Sequence, residues 1–377
     1  MIHPCLTAFG GAELVALYVI RLLLDEGWDV TLLSDGWDPG EAYRRFGLKF
    51  DEGVAWIPYC RRRSPPIPFL SVYQALILDL VRYSRAPRPS ADLVFDTYNG
   101  EGYLVKAEEK GRIIYFQNEA PKYVFEADEG WRRLYYAAPR AWWGRFREVL
   151  LGSTLICNSS YTLETLRETY GVEGSVVYPP AQVEEFLPLA SSEPRDPLVV
   201  TLSRFAPEKR LDTALRAFSA VVRDYPEARL IMIGSTGEPS YASTVRELNS
   251  LISALKLDGK VQLILDAPLQ TVKAILGRAK AIVSTKPNES FGIAILQGMA
   301  SGCIPIVHRS GGQYMDVTDR DRAGLSYEGV EELSEQIMKV LESESFRKGM
   351  KPKVVERARG FGTDRFVKAI RELIEKY

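Results

Sequence analysis

Short apolar runs alternate with longer stretches of helical period, once in each half of the chain, and this pattern restricts the possible folds more than any other feature. Residues 12–26, AELVALYVIRLLLDE, place Leu14, Leu17, Val19 and Leu22 at helical spacing, and a strand-like WDVTLLSD follows. ADLVFD (91–96), RIIYFQ (112–117), STLICNS (153–159) and GSVVYP (174–179) continue the first series. A second series runs PLVVTLSR, LDTALRAFSAVVRDY, ARLIMIGS, VRELNSLISALKL, KVQLILDA, TVKAILGRA, KAIVSTK, ILQGMASG and IPIVHRS, strand and helix in turn. Helical patterns at GVEELSEQIMKVLES and TDRFVKAIRELIEKY close it, the last with Thr363 as candidate N-cap. Such alternation predicts an α/β fold with parallel sheets.

A chain of 377 residues is too long for one typical core and suits two Rossmann-like domains. Residues 186–197, FLPLASSEPRDP, lose periodicity and read as the linker. The expected domains are 1–187 and 197–360, with a closing helix, 361–377, reaching back toward the first. Two doubly wound domains facing each other leave a cleft, and in such sheets ligands bind outside the carboxyl ends of the strands.

Four motifs fall at those ends. In FGGAE (9–13), Gly10 and Gly11 either form a tight βα turn or let backbone N–H groups approach an anion. The pattern is not GxGxxG, and no GxxxxGK(S/T) occurs, so the dinucleotide and ATP fingerprints are missing. In TLSRFAPEKRLD (201–212), Arg204 and Lys209 either neutralise a diphosphate or pair with Glu208 and Asp212 in a solvated loop. In NESFGIAILQGMASG (288–302), Glu289 precedes a helix start. It is either a capping acid or a carboxylate that accepts sugar hydroxyls while the Phe291 and Gly292 amides hold phosphate oxygens. Gly298 and Gly302 read as packing positions. HRSGGQYMDV (308–317) offers a second glycine pair, a plain turn or a close backbone approach, and His308 reads as structural.

WRRLYYAAPRAWWGRFREVL (131–150) mixes five Arg with three Trp, two Tyr and a Phe, and YCRRRSPPIPFL (59–70) is a second basic-then-apolar patch. Both suit a membrane surface, or else a core helix with a solvated basic face. A net charge of −1 provides no global field for nucleic acid. Cys5, Cys60, Cys157 and Cys303 form no CxxC pair and the only histidines are His3 and His308, so no zinc site is expected. Scattered thiols fit a reducing, cytoplasmic setting. No secretory leader or bilayer-length apolar run is visible.

Together these segments resemble the family 4 retaining glycosyltransferases of GT-B architecture, and within them the α-1,2-mannosyltransferases that act on lipid-linked oligosaccharides. The resemblance is carried by ICNSSYTLETL (156–166), VVYPPAQVEEF (176–186), RFAPEKRLDTALRAF (204–218), NESFGIAILQGMASG and HRSGGQYMDV, in that order over most of 150–320. In the first half it is looser, through FGGAE and YFQNEAP. The resemblance implies that Arg204 and Lys209 bind the donor diphosphate and support its departure, with Glu289 facing the donor sugar. It places Ser290, Phe291, Gly292, Ile293 and Gln297 in the donor site, Gly10 and Gly11 across the cleft near the donor phosphate and the acceptor, and Leu265 and Asp266 beside the base. Gln117 and Glu119 would stand near the reacting sugar.

Two positions depart from the family pattern. Gln297 replaces the glutamate that holds the nucleotide ribose, and Gln117 replaces a histidine near the reacting sugar. The implied reaction moves a hexose, mannose from GDP-mannose, onto a polyprenyl- or dolichol-linked glycan at the cytosolic membrane face. It retains the anomeric configuration, and neither cofactor nor metal is expected, since cations and a helix terminus act on the leaving group. Two other readings stand beside it. One is a sugar-nucleotide-binding protein in which Gln297 and Gln117 record lost catalysis. The other is a UDP-sugar 2-epimerase, disfavoured by the scarcity of histidine.

Overall fold

A computed structural model describes residues 1–376 apart from 4–5, 7–9, 51–52, 59–69, 86–90, 99–112, 119–129 and 236–240. Two compact units emerge: Met1–Ala42, Leu48–Tyr178 and Lys368–Tyr377 form one, and Tyr43–Gly47 with Pro179–Val367 form the other. Both are built on parallel strands.

In the first unit the strands are Val30–Ser34 (β1), Val54–Pro58 (β2), Val94–Asp96 (β3), Ile113–Gln117 (β4), Thr154–Cys157 (β5) and Ser175–Val176 (β6). They pair as β1-β2 and β3-β4-β5-β6. Ile2 joins the two sets through parallel bridges to Leu33 and Asp96. Its N–H donates to Phe95 O at 2.8 Å and its carbonyl accepts from Thr97 N at 3.1 Å. The order is therefore β2-β1-Ile2-β3-β4-β5-β6, all parallel, and the sequence order of the strands turns around between Ile2 and β3. Helix Gly11–Asp25 buries the apolar positions read from its period, among them Leu14, Leu17, Val19 and Leu22. The Arg- and Trp-rich segment is not one helix. It breaks into Gly130–Tyr135, Ala137–Gly144 and Phe146–Leu151, so a single core helix with one basic face is set aside.

In the second unit the strands are Leu198–Leu202 (β7), Arg229–Gly234 (β8), Val261–Leu265 (β9), Ala281–Val283 (β10), Ile304–His308 (β11) and Leu325–Tyr327 (β12). Their order, β12-β11-β10-β7-β8-β9, is the doubly wound one, with its switch point between β7 and β10. Helix Ile293–Ala300 lies tight against β10, because a Cβ on Gly298 would come within 2.6 Å of Ile282.

Residues 186–197, read as the linker, count with the second unit, which takes up the chain at Pro179. Phe186 is fully buried, and Val183–Glu185 and Leu187–Ser191 form short 3-10 turns. The buried Arg195 guanidinium donates to the carbonyls of Leu189 (3.0 Å), Leu276 (3.2 Å), Ala279 (2.6 Å) and Ser301 (2.5 Å). A guanidinium whose donors meet carbonyls can be buried. The last helix, Thr363–Ile374, starts in the second unit, and its final residues count with the first. Thr363 does not cap it. Its N–H and hydroxyl both donate to Glu184, at 2.8 and 3.2 Å, so a carboxylate distant in sequence satisfies this helix start.

Candidate functional site

The loops that follow β7 and β10 leave the second sheet at its switch point, and they carry Lys209 and Glu289. Lys209 Nζ donates to Glu289 Oε2 at 2.5 Å, and Lys286 Nζ stands 3.9 Å from the other oxygen. The Glu289 side chain is only 13% exposed. Burial alone would raise its carboxyl. Lys209 and Lys286, and more weakly Arg204, outweigh burial and hold it below the usual carboxylate range. Glu289 is therefore an ionised acid seated among cations, not a helix cap; Gly292 occupies the N-cap of Ile293–Ala300. Thr285 fixes the same corner by donating its hydroxyl to Lys209 O at 2.7 Å.

The HRSGG segment clasps this turn from behind. Ser310 Oγ accepts the Asn288 N–H at 2.8 Å and lies 2.8 Å from His308 Nδ1, while Gly312 N donates to Glu289 O at 2.8 Å. Gly311, at φ +76°, lies so close that a Cβ there would sit 2.4 Å from Glu289 O. Gly292, at φ +96°, is pressed equally hard on Gln313, whose Nε2 would lie 2.2 Å from a Cβ. Of the two readings of the second glycine pair, close backbone approach is the one realised, although its partner is the Glu289 turn.

Arg204 follows β7 directly. Its guanidinium donates to Tyr241 Oη at 3.1 Å and pairs with Glu208 at 3.3 Å. The solvated-loop alternative thus describes Arg204 in part but not Lys209, and Asp212 pairs with Arg216 instead. Phe291 is buried against Phe361, with ring centroids 5.7 Å apart. Among the described residues the Ser290 and Gly292 amides meet no acceptor. Ile293 opens the helix and Gln297 is its fifth residue, one turn on. Leu265 ends edge strand β9 on the same carboxyl rim and Asp266 follows it; Leu265 is exposed, and Asp266 takes φ +51° with Arg45 3.8 Å away.

The first unit gathers a separate polar cluster at its own switch point. Gly10 donates its N–H to Glu13 Oε2 at 2.7 Å, so that amide serves the helix start. Glu13 Oε1 lies 3.8 Å from Nε2 of the buried His3, whose Nδ1 meets Thr97 Oγ1 at 2.9 Å. Burial opposes ionisation of Glu13, yet His3 and the local amides keep its carboxyl low. Gln117 ends β4 fully buried, and among the described residues its Nε2 has no hydrogen-bond partner. Beside it Asn158 Nδ2 donates to Asn118 O at 3.2 Å, and Thr162 Oγ1 donates to Asn158 Oδ1 at 2.6 Å. Phe9, Glu119 and the 59–69 basic patch lie outside the described residues. Cys157 and Cys303 are free and buried, which pushes their thiols up to about 12 and about 11.

Sequence reasoning missed several of these groups. Lys286 carried a signal, three residues ahead of Glu289. Thr285, Ser310, Gln313, Tyr241, His3 and Thr97 carried none, since each is polar and meets its partner only through the fold.

Two family profiles match end to end: Glycosyltransferase Family 4 over residues 9–185, and Glycosyl transferases group 1 over 184–357. The chain belongs to the family 4 glycosyltransferases. Similar proteins include the GDP-Man:Man(3)GlcNAc(2)-PP-Dol alpha-1,2-mannosyltransferase of Yarrowia lipolytica, 32% identical over 44% of this chain and 28% of that one. The Homo sapiens protein of the same name is 30% identical over 51% of this chain and 42% of its own length. The matched segments thus span less than half of those relatives. Among solved structures, Anabaena Alr3699/HepE in complex with UDP and glucose aligns over 100% of this chain and 98% of its own, with TM-score 0.72 and 16% identity. WaaG, a glycosyltransferase of lipopolysaccharide biosynthesis, aligns over 99% and 98%, with TM-score 0.70 and 13% identity. At such identities the likeness speaks for the GT-B fold. No helix among the described residues is long and apolar enough to cross a membrane.

Proposed function

We propose that this chain is a retaining hexosyltransferase that moves mannose from GDP-mannose to a lipid-linked glycan. The observation that carries the proposal is Glu289, ionised and buried between Lys209 and Lys286 at the switch point, with Arg204 beside it. A carboxylate held there accepts sugar hydroxyls. The cations and the open Ser290 and Gly292 amides face the charge that builds on a departing diphosphate. In this reading Gln297 holds the ribose without charge assistance, and Leu265 and Asp266 border the base. Gly11 and Gln117 belong to the acceptor side, and the departing phosphate takes the acceptor's proton. No metal takes part.

A membrane surface completes the proposal. Trp131 and Leu134 are 71% and 78% exposed, next to exposed Arg132 and Arg133. Helix Ser71–Arg85 adds exposed Ile77, Leu80 and Val81, and Tyr73 Oη ties it to Tyr135 O at 2.6 Å. Apolar rings and aliphatic side chains beside arginines suit the headgroup region of a bilayer.

The test is an assay with GDP-mannose and a diphosphate-linked oligosaccharide on a polyprenyl lipid, with EDTA present. Transfer with an α product supports the proposal. Binding of GDP-mannose with neither transfer nor slow GDP release would instead favour a non-catalytic sugar-nucleotide binder. Preference for a UDP-sugar in a thermal-shift panel would replace the donor but keep the reaction class.

A further inference from the structure

The second unit has another basic hollow, at the amino-terminal edge of its sheet. Glu193 and Arg195 reach it from ahead of β7, Lys280 from ahead of β10, and Gly302 from ahead of β11. Helix Glu344–Arg359 closes it with Glu344, Arg347, Lys348 and Lys351. Five cations therefore share one hollow with two carboxylates.

Both carboxylates are engaged. Glu193 pairs with Lys351 at 2.8 Å, and Glu344 pairs with Lys348 at 3.0 Å and Arg347 at 3.3 Å. Arg195 rests on four backbone carbonyls, with its Nε 3.7 Å from Glu193 Oε1, and Lys280 donates to Leu341 O at 2.9 Å. The Nε atoms of Arg195 and Arg347 are buried and, among the described residues, without a hydrogen-bond partner. Burial, and then Arg347, pulls the Lys280 ammonium below the ordinary lysine value. Gly302, at φ +85°, lets two of these cationic side chains close on the backbone, since a Cβ there would sit 2.9 Å from Arg195 Nη2 and 3.1 Å from Lys351 Cε. Crowded cations with unused donors are stabilised by an anion that brings several acceptor oxygens.

We propose that this hollow binds a phosphate-bearing anion through Arg195, Lys280, Arg347 and Lys351, apart from the Glu289 site. Free phosphate, a hexose phosphate and an anionic lipid headgroup share that chemistry.

The experiment titrates inorganic phosphate into the full chain at fixed ionic strength and follows the thermal midpoint. We expect a saturable rise whose apparent affinity weakens at least about tenfold in Arg347→Gln and in Lys351→Gln, and stays unchanged in Arg204→Ala. If Arg347→Gln fails to fold, Lys351→Gln and Lys280→Gln carry the comparison. Glucose 6-phosphate acting at lower concentration than phosphate would identify a soluble metabolite. Co-sedimentation with phosphatidylglycerol but not phosphatidylcholine vesicles, lost in Lys351→Gln, would identify a headgroup, and a response to phosphate alone would identify the free ion. No saturable rise at millimolar phosphate, an equal rise in all variants, or a rise lost only in Arg204→Ala overturns the proposal.

Discussion

Lys209→Met removes a charge while keeping side-chain length, and it isolates what holds Glu289. The carboxylate would stay 13% exposed, with Lys286 Nζ at 3.9 Å as its remaining close cation. Breaking a buried ion pair from one side costs about 3–5 kcal/mol; the second lysine and slight exposure reduce this to about 2 kcal/mol. For a unit of this size that is a fall in Tm of about 4–8 °C.

The pH dependence has a definite sign. In the native chain the lysines hold the Glu289 carboxyl below its ordinary value of 4.5. The pair's contribution is therefore complete at neutral pH and is lost as pH falls below that value, through the folded pKa. In Lys209→Met burial prevails and the carboxyl rises instead. The variant's deficit is then largest at neutral pH and shrinks as pH drops toward the ordinary glutamate value. Calorimetric unfolding at pH 7.5 and 5.0 reads this directly, and adding Glu289→Gln should restore most of the lost stability. If Lys209→Met matches the native Tm at pH 7.5, or if Glu289→Gln recovers nothing, the two residues are not coupled and the reasoning fails.

Arg204→Ala should lower turnover at least about 100-fold with the fold intact, the scale of losing a transition-state charge partner; steady-state kinetics decide, and a native rate removes Arg204 from that role. Gln297→Glu should tighten nucleotide-sugar binding by about three- to tenfold, because a carboxylate makes charge-assisted bonds to ribose hydroxyls. Unchanged affinity by calorimetry would move residue 297 away from the ribose. Gly311→Ala should cost about 2–4 kcal/mol, since its Cβ would meet Glu289 O at 2.4 Å. Gly349→Ala, where a Cβ meets nothing within 4 Å, should be neutral or stabilising, and urea melts of both glycine variants check the two outcomes.

Where local period and burial agree, the chain could be read directly. Strands such as β7, β8 and β11 are continuous apolar runs because both faces of a parallel sheet are covered. Helix Leu211–Asp224 shows its inward face as Leu211, Ala214, Leu215, Phe218 and Val221. Other elements were hidden. Helix Glu344–Arg359 buries Arg347, Val354 and Ala358, a weak apolar stripe, and contains Pro352, which argues against a helix until packing on Ile293–Ala300 supports it. Strands β2 and β12 were also missed: β2 is largely exposed, and β12 has only three residues to show.

The candidate site divides in the same way. Its residue types and their order along the chain, RFAPEK and then NESFG, were legible because they sit at strand ends where a short segment states its own chemistry. The pairing was not. Lys209 and Glu289 are 80 positions apart, and either could have been a solvated charge. Only the reversal of strand order between β7 and β10 brings their loops together, and only the burial that follows forces the acid to take a lysine as its partner. Sequence alone determined the alternation, the two parallel sheets and the kinds of groups at their rims, since those depend on neighbours a few residues away. Tertiary structure decided which charges meet, which glycines are pinned and which polar chain is buried, because those depend on segments far apart in sequence excluding water together.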